Sequence, residues 1–415
     1  MKWVRPSRIC GTVEAPASKS LMLRATAMAL LSHGRSRINN PADCDDALAG
    51  LRVAGQLGAG IEPNAGFIII HGGRPIKGTQ LDCGESGLCI RMFAPISALG
   101  TERTVLSGRG TLLSRPVGLV EKPLRQLGVD CRTEGGLLPI RLQGPLKSGK
   151  ITIDGFLSSQ FLSGLLIALP LCEGESEIIV QNLRSKPYVA MTQTLQSHFG
   201  VSVSASENLD RFLIKGPQSY SCTTCDMEGD WSGAAFLLVA GAVNGKITVL
   251  NLQRRSNQAD KAILDILEDA GAKVSVADDG VTIEKNRLRS FSFDASDAPD
   301  LFPPLVALAC SCEGKSVIRG VGRLKHKESD RTIALFEVFS ELGAKIEISS
   351  DEITIQGGLL SGGTVHSFGD HRIAMAAALA GLNSKKGTRV AGWQCISKSY
   401  PKYFDDLKSA GGNIE

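Results

Sequence analysis

Ile263-Leu-Asp-Ile-Leu-Glu-Asp-Ala-Gly-Ala-Lys-Val-Ser-Val-Ala277 reads as the end of a helix, a stop and a strand. Apolar residues at 263, 264, 266 and 267 fall on one helical face. Gly271 suits the left-handed residue that ends a helix, and residues 273–277 alternate with the period of two expected of a half-buried strand. The same arrangement recurs along the chain. Its glycine returns as Gly58, Gly128, Gly200, Gly271, Gly343 and Gly411, at spacings of 70, 72, 71, 72 and 68, and Lys345-Ile-Glu-Ile-Ser349 repeats the strand. Each copy also carries a polar cluster, an apolar helix-like run and a short strand ahead of this segment. A period near 70 exceeds the 20–50 residues of solenoid repeats, so each copy is a small mixed α/β subdomain. Six copies could close into one ring or divide into two groups of three. The turn-rich segment Lys215-Gly-Pro-Gln-Ser-Tyr-Ser-Cys-Thr-Thr224 lies between the third and fourth copies. It favours two domains of three units, with a crossover near Gly229.

Composition narrows the classes. A chain of 415 residues is long for one domain, and length alone suggests two or three. With 43% hydrophobic and 21% charged residues it has material for a core and is not a disordered chain. Aromatics at 5% argue against a protein that works by stacking on bases. A formal net charge of +4 is too weak to imply nucleic acid. The longest apolar runs, 161–172 and 234–243, fall short of the ~20 residues a bilayer requires, so no membrane association is expected. The N-terminal Met1-Lys-Trp-Val-Arg-Pro6 has no apolar targeting region. Eleven scattered cysteines point to free thiols in a reducing cytoplasm. The lone pair Cys222-Thr-Thr-Cys225 has no second pair or adjacent histidine, so a surface loop is expected there rather than a zinc or redox site.

The first helix of each copy opens on polar residues in register. Ser20, Ser86, Ser159, Asp230, Asp300 and Asp370 are separated by 66, 73, 71, 70 and 70. Capping of helix N-termini accounts for serine and aspartate at such places. It does not account for Lys19, Arg24, Arg91, Arg372 and Lys398, which sit in or beside apolar stretches where an uncompensated charge is costly. Cations at helix starts, where free N–H groups also favour anions, point to an anion-binding cavity for phosphate or carboxylate. In Arg323-Leu-Lys-His-Lys-Glu-Ser-Asp-Arg331, Glu328 stands among cations that would keep it ionised for proton transfer. Asp300, in the apolar setting of Asp297-Ala-Pro-Asp-Leu-Phe-Pro-Pro304, is a candidate general base.

At these residues the chain resembles the 5-enolpyruvylshikimate-3-phosphate synthases from end to end. The matching pieces are Ala17-Ser-Lys-Ser20 with Arg24, Gly84-Glu-Ser-Gly87 with Arg91, Ser114-Arg-Pro116, Ser158-Ser-Gln-Phe161 and Ser185-Lys-Pro-Tyr188. They continue with Pro299-Asp300, Lys327-Glu-Ser-Asp-Arg331, Asp370-His-Arg372 and Lys398. The resemblance implies the enolpyruvyl transferase fold: an α/β protein of two domains, each of three βαβαββ units around a pseudo-threefold axis. One domain comprises residues 1–16 plus 229–415 and the other residues 17–228, with the active site in the cleft between them. It implies transfer of the enolpyruvyl group of phosphoenolpyruvate to the 5-hydroxyl of shikimate 3-phosphate, with release of phosphate, by addition and elimination. No metal and no organic cofactor are implied, and a monomer is expected.

Carried over residue by residue, the resemblance makes Asp300 the base at the hydroxyl and Glu328 the proton shuttle at the vinyl carbon. Lys19, in contact with both substrates, would protonate the departing phosphate. Phosphoenolpyruvate is placed on Lys19, Gly87, Arg115, Gln160, Arg331, Arg372 and Lys398. Shikimate 3-phosphate is placed on Lys19, Ser20, Arg24, Ser158, Ser159, Gln160, Ser185, Asp300 and Lys327, with Tyr188 nearby. The chain departs from the family in carrying Glu85 where many members have asparagine; a carboxylate there would repel an anion, so its side chain is expected to point away. Leu88-Cys89 and Met92 replace small residues or proline, which leaves glyphosate sensitivity open. Arg323 stands where asparagine is common and is left out of the site.

Two rival readings are weaker. UDP-N-acetylglucosamine enolpyruvyl transferase shares the fold and donor, but it typically has Lys-Asn in place of Lys19-Ser20. It also has a reactive cysteine in a loop that here reads Gly108-Arg-Gly-Thr-Leu-Leu-Ser-Arg115, without one. A clamp-like ring built of α/β repeats would bind nucleic acid with cations lining a wide hole. The pairing of cations with particular carboxylates and helix starts favours a small-molecule site.

Overall fold

The computed structural model describes residues 1–156 and 159–415. The chain forms two compact units, one of Met1–Pro16 with Glu228–Glu415 and the other of Ala17–Met227. The division falls one residue before the boundary expected from the sequence, so that Glu228 belongs with the discontinuous unit.

The continuous unit carries helices α1 (Lys19–Leu31), α2 (Asp45–Gln56), α3 (Gly87–Ser97), α4 (Glu121–Gln126), α5 (Ser159–Ala168) and α6 (Lys186–His198). The discontinuous unit carries α7 (Trp231–Asn244), α8 (Ile263–Asp269), α9 (Phe302–Cys310), α10 (Arg331–Glu341), α11 (His371–Leu382) and α12 (Tyr403–Ser409). Among the described residues the strands form six four-stranded sheets, three in each unit. One pattern serves all six. Each has two parallel strands, the second of which is extended by an antiparallel pair; in four of the six an inner helix joins the parallel strands directly. In the second sheet Gln80–Asp82 runs parallel to Arg103–Ser107 across α3, and Arg103–Ser107 pairs antiparallel with Leu137–Gln143. A parallel pair needs such a crossover, because a tight turn can only reverse the chain.

Two segments are exchanged along the chain. In the continuous unit the first strand of the first sheet is supplied late, by Thr224–Asp226 alongside Gly34–Asn39. In the discontinuous unit Ile9–Glu14 runs parallel to Gly245–Leu250 in one sheet. Lys2–Arg5 completes another, between Thr388–Ala391 and Asn413–Ile414.

The inner helices are buried around nearly their whole circumference, including every residue of α3 and all of α7 from Trp231 to Val243. A helix that is apolar all round must lie inside the protein. Accordingly α3 packs on α5 in one unit, and α7, α9 and α11 pack on one another in the other. The remaining helices end at the repeating glycines. Gly271 has φ of +92°, and the other five lie between +80° and +112°, the region where a side chain is strained and glycine is not.

Candidate functional site

The polar residues at the inner-helix starts do different work. Ser86 caps α3, Asp230 caps α7 by accepting from the N–H groups of Ser232 and Gly233, and Asp370 caps α11. At α1 the cap is Ser18, so Ser20 lies within the first turn. Asp300 caps nothing. It sits in the 3-10 turn Pro299–Leu301 that leads into α9, and its carboxylate is turned to cations instead.

In the continuous unit, Lys19 opens α1 and its ammonium meets Asp46 Oδ2 at 2.6 Å. Arg24 is 1% exposed. Its Nε donates to Thr192 Oγ1 at 2.8 Å and its terminal nitrogens to the Ser20 carbonyl (2.8 Å), Ser163 Oγ (3.3 Å) and the Tyr188 carbonyl (3.3 Å). Burial without a full counter-charge lowers its pKa to about 10, which still leaves it charged at neutral pH. Arg91, from α3, donates to Gln160 Oε1 at 3.0 Å and to the Pro116 carbonyl at 2.9 Å. The guanidinium of Arg115 lies flat on Gly87, where an added Cβ would come within 2.6 Å of its nitrogen. A side chain at the first residue of α3 would therefore displace this guanidinium. Ser159 and Ser185 are buried and Gln160 partly so. Ser185 holds φ of +56° before α6, a left-handed conformation that costs a non-glycine residue about 1–3 kcal/mol and is retained mostly at functional sites. Ser158 lies outside the described residues. Glu85 is turned to the next segment, where its Oε2 accepts from the Thr111 N–H and Oγ1, both at 3.1 Å.

In the discontinuous unit the cations and carboxylates interlock. Asp300 Oδ1 accepts from Arg331 at 2.7 Å and from Lys327 at 3.2 Å, and its Oδ2 accepts from Arg372 at 3.2 Å. Arg331, 1% exposed in its side chain, also reaches Glu328 Oε2 at 2.6 Å and Asp370 Oδ2 at 2.7 Å. Arg372 anchors its other terminal nitrogen on the Ser232 carbonyl at 3.3 Å. Lys398 donates to the Gly369 carbonyl at 3.2 Å, and Arg323 to the Ser296 carbonyl at 3.4 Å.

The electrostatics follow from this crowding. Burial opposes ionisation of Asp300, but Arg372, Lys327 and Arg331 outweigh it and hold the carboxyl well below its ordinary range. Burial also lowers Lys327, to about 8. The two shifts agree physically, because Asp300 divides its charge among three cations. Lys327 thus receives only part of a counter-ion while facing Arg331 and Arg323. Arg331 and Arg372 move upward, the carboxylates overcoming the cost of burial. Unaided, Asp300 is therefore a weak base.

These two groups contain all the described residues expected to act, and nothing in them resembles a metal centre. Among the described residues no three His, Cys, Asp or Glu side chains are grouped to hold a metal ion. A surface depression of about 750 Å³ lined by Gln253, Arg254, Arg255, Asp278 and Asp279 includes none of them.

The EPSP synthase (3-phosphoshikimate 1-carboxyvinyltransferase) family model matches residues 4–407. The chain belongs to that family. It is 38% identical to the 3-phosphoshikimate 1-carboxyvinyltransferase of Methanocorpusculum labreanum, over 99% of this chain and 98% of that one. It is 36% identical to the enzyme of the same name from Clostridium botulinum, over 99% and 97%. An EPSP synthase structure from Acinetobacter baumannii superposes with a TM-score of 0.83 at 25% identity, covering 100% of this chain and 99% of that one. The α/β architecture of two three-sheet units is thus that of the EPSP synthases. No helix among the described residues is long and apolar enough to cross a membrane.

Sequence reasoning missed the partners. Asp46 on Lys19, Thr192 and Ser163 on Arg24, and Asp260 near Arg372 were not anticipated. Asp260 is 1% exposed and accepts a hydrogen bond from the Ser232 hydroxyl. Burial and the neighbouring Asp300 charge push it up to about 6, against the pull of Arg372. A signal for two of these residues was present. Lys19 meets Asp46 and Asp300 meets Lys327 at a separation of 27; Ser232 meets Asp260 at 28, and Gly369 meets Lys398 at 29. Arg115 lies on Gly87 at a separation of 28. In five of the six repeats the segment ahead of the second helix, or its first turn, meets the start of the first, so an offset near 28 finds the partner.

Proposed function

We propose that this EPSP synthase family member transfers the 1-carboxyvinyl group of phosphoenolpyruvate to the 5-hydroxyl of shikimate 3-phosphate, and that both residue groups act on that one pair of substrates. The observation that carries the residue roles is the single carboxylate of Asp300 shared by Lys327, Arg331 and Arg372. Phosphoenolpyruvate, on Lys19, Gly87, Arg115, Gln160, Arg331, Arg372 and Lys398, brings a phosphate and a carboxylate that compete for those cations. Shikimate 3-phosphate, on Lys19, Ser20, Arg24, Ser158, Ser159, Gln160, Ser185, Asp300 and Lys327, brings a second phosphate. As the arginines turn to the incoming anions, Asp300 loses counter-charge and its basicity rises toward what removal of the hydroxyl proton demands.

The reaction then runs in two stages. The 5-hydroxyl oxygen bonds to C2 of phosphoenolpyruvate as Asp300 accepts its proton, and Glu328, which takes up a proton from solvent as Arg331 turns to the donor, delivers it to C3. In the second stage Glu328 takes a proton back from C3, the C2–C3 double bond re-forms, and the C2–O bond to phosphate breaks with Lys19 protonating the leaving oxygen. Glu328, 2.6 Å from Arg331, is kept beside the cations that hold the donor.

Further parts of the reading rest on simpler support. The buried, clustered cations suit small polyanions and not a nucleic-acid backbone. Eleven free cysteines suit a reducing cytoplasm.

A phosphate-release assay tests the function. Release should require shikimate 3-phosphate and phosphoenolpyruvate together. Release with a UDP-sugar acceptor in place of shikimate 3-phosphate would overturn the assignment in favour of the related transferase.

A further inference from the structure

Arg115 reaches its place at the end of a short segment that is held at both ends by α3 and the turn leading into it. The segment is the 3-10 turn Gly110–Ser114, and Arg115 is the residue that closes it, its N–H donating to the Leu112 carbonyl at 3.2 Å. At the start of the turn, Glu85 accepts from both the Thr111 N–H and the Thr111 hydroxyl. Gly110 lies directly against that carboxylate, and any Cβ there would collide with it. Just past Arg115, Arg91 holds the Pro116 carbonyl at 2.9 Å. Beneath Arg115 lies Gly87. Glu85 precedes the α3 cap Ser86, Gly87 opens the helix and Arg91 lies one turn on, so the entrance and first turn of α3 meet this segment at its start, beneath Arg115 and just past it.

This accounts for a carboxylate where an anionic substrate is expected. The charge of Glu85 is engaged by two donors at the N-terminal end of the turn, the end whose N–H groups favour an anion. It is directed at the protein's own backbone and not at the substrate. A neutral amide with its oxygen in the place of Oε2 would keep the acceptor for both bonds but would lose the charge-assisted component.

We propose that Glu85 is a positioning residue, which fixes Arg115 for the donor phosphate by clamping the start of the Gly110–Ser114 turn. The proposal rests on the reading of Arg115 as a phosphoenolpyruvate ligand. Steady-state kinetics in both substrates, binding of shikimate 3-phosphate alone, and thermal unfolding are measured for Glu85→Ala, Glu85→Gln, Thr111→Val and Arg115→Ala.

Loss of a charge-assisted clamp should raise KM for phosphoenolpyruvate about tenfold in Glu85→Ala. Its kcat should stay within about threefold of wild type and shikimate 3-phosphate binding should be unchanged. Glu85→Gln, which keeps an acceptor oxygen, should recover most of that loss. Thr111→Val removes only the hydroxyl half of the clamp and should shift KM in the same direction by less, which keeps the idea testable if Glu85→Ala folds poorly. Arg115→Ala should raise the same KM by more than any of them. A silent Arg115→Ala overturns the ligand reading itself. A defective Arg115→Ala alongside wild-type KM in Glu85→Ala and Thr111→Val overturns the clamp alone. Equal losses of kcat, acceptor binding and melting temperature in Glu85→Ala and Glu85→Gln make Glu85 a purely structural residue and also overturn the clamp.

Discussion

Arg24 and Arg331 are equally buried, each 1% exposed, and the two units solve the problem of a buried guanidinium in opposite ways. Arg24 is surrounded by hydroxyls and carbonyls, which satisfy four of its donors without cancelling its charge. Arg331 is held by three carboxylates, those of Asp300, Glu328 and Asp370. Burial wins over the neutral partners and lowers Arg24 to about 10, whereas the carboxylates win around Arg331 and raise it. The first arrangement leaves positive potential for a bound anion to use. The second stores charge in pairs that an anion must open, and opening them changes the acidity of the carboxylates left behind. On the proposed reading, the first environment serves binding and the second serves proton transfer.

The comparison can be broken most directly by removing the two arginines. Arg331→Met strands three acids around an uncharged side chain and should cost about 3–5 kcal/mol of stability together with nearly all activity. Arg24→Met strands only neutral acceptors and should cost about 1–3 kcal/mol. Denaturant unfolding of both variants checks this, and equal losses would erase the distinction. Next in size, Asp300→Asn and Glu328→Gln should each lower kcat on the order of 10²-fold or more with near-normal folding. Wild-type turnover in either would remove that residue from the mechanism.

The smallest effect is a pH limb. Lys327 is charged below about 8 and neutral above it, and an anionic acceptor needs the charge. The kcat/KM for shikimate 3-phosphate should therefore fall as pH rises through about 8, since this ratio reports groups of the free enzyme. Lys327→Arg should carry the limb to higher pH, and an unmoved limb would assign it to another group. The linkage has its own sign. Folding depresses this lysine from its ordinary 10.5 to about 8, so the unfolded chain holds more protons across that window and the group's cost to stability is relieved as pH rises through it.

Much of this was legible in the sequence because repetition amplified weak signals. One glycine after one helix proves little, but six at a period near 70, all with positive φ, define the unit. Cations inside apolar runs marked the site, since few other reasons exist to bury Arg24 or Arg91. Their partners were harder to see. Thr192 lies 168 residues from Arg24, and neutral hydroxyls in helices carry no sign of what they will satisfy. Asp46 and Asp260 resemble ordinary surface acids until the repeat is folded and the offset of 27–28 residues becomes a contact. The register of polar helix starts also concealed a difference: Asp230 and Asp370 cap their helices, while Asp300 gives its carboxylate to cations instead.

The strand Lys2–Arg5 lies between Thr388–Ala391 and Asn413–Ile414. It therefore cannot find either neighbour until almost the whole chain has left the ribosome. At about 5–20 residues per second this is a wait of roughly 20–80 s. Ile9–Glu14 waits a shorter time for Gly245–Leu250. The unit Ala17–Met227 contains its own strands and can be complete by then. Synthesis thus imposes an order in which the unit that holds Arg24 among neutral partners is assembled first. The unit that holds Arg331 among carboxylates closes last, when Lys2–Arg5 and Ile9–Glu14 find their sheets.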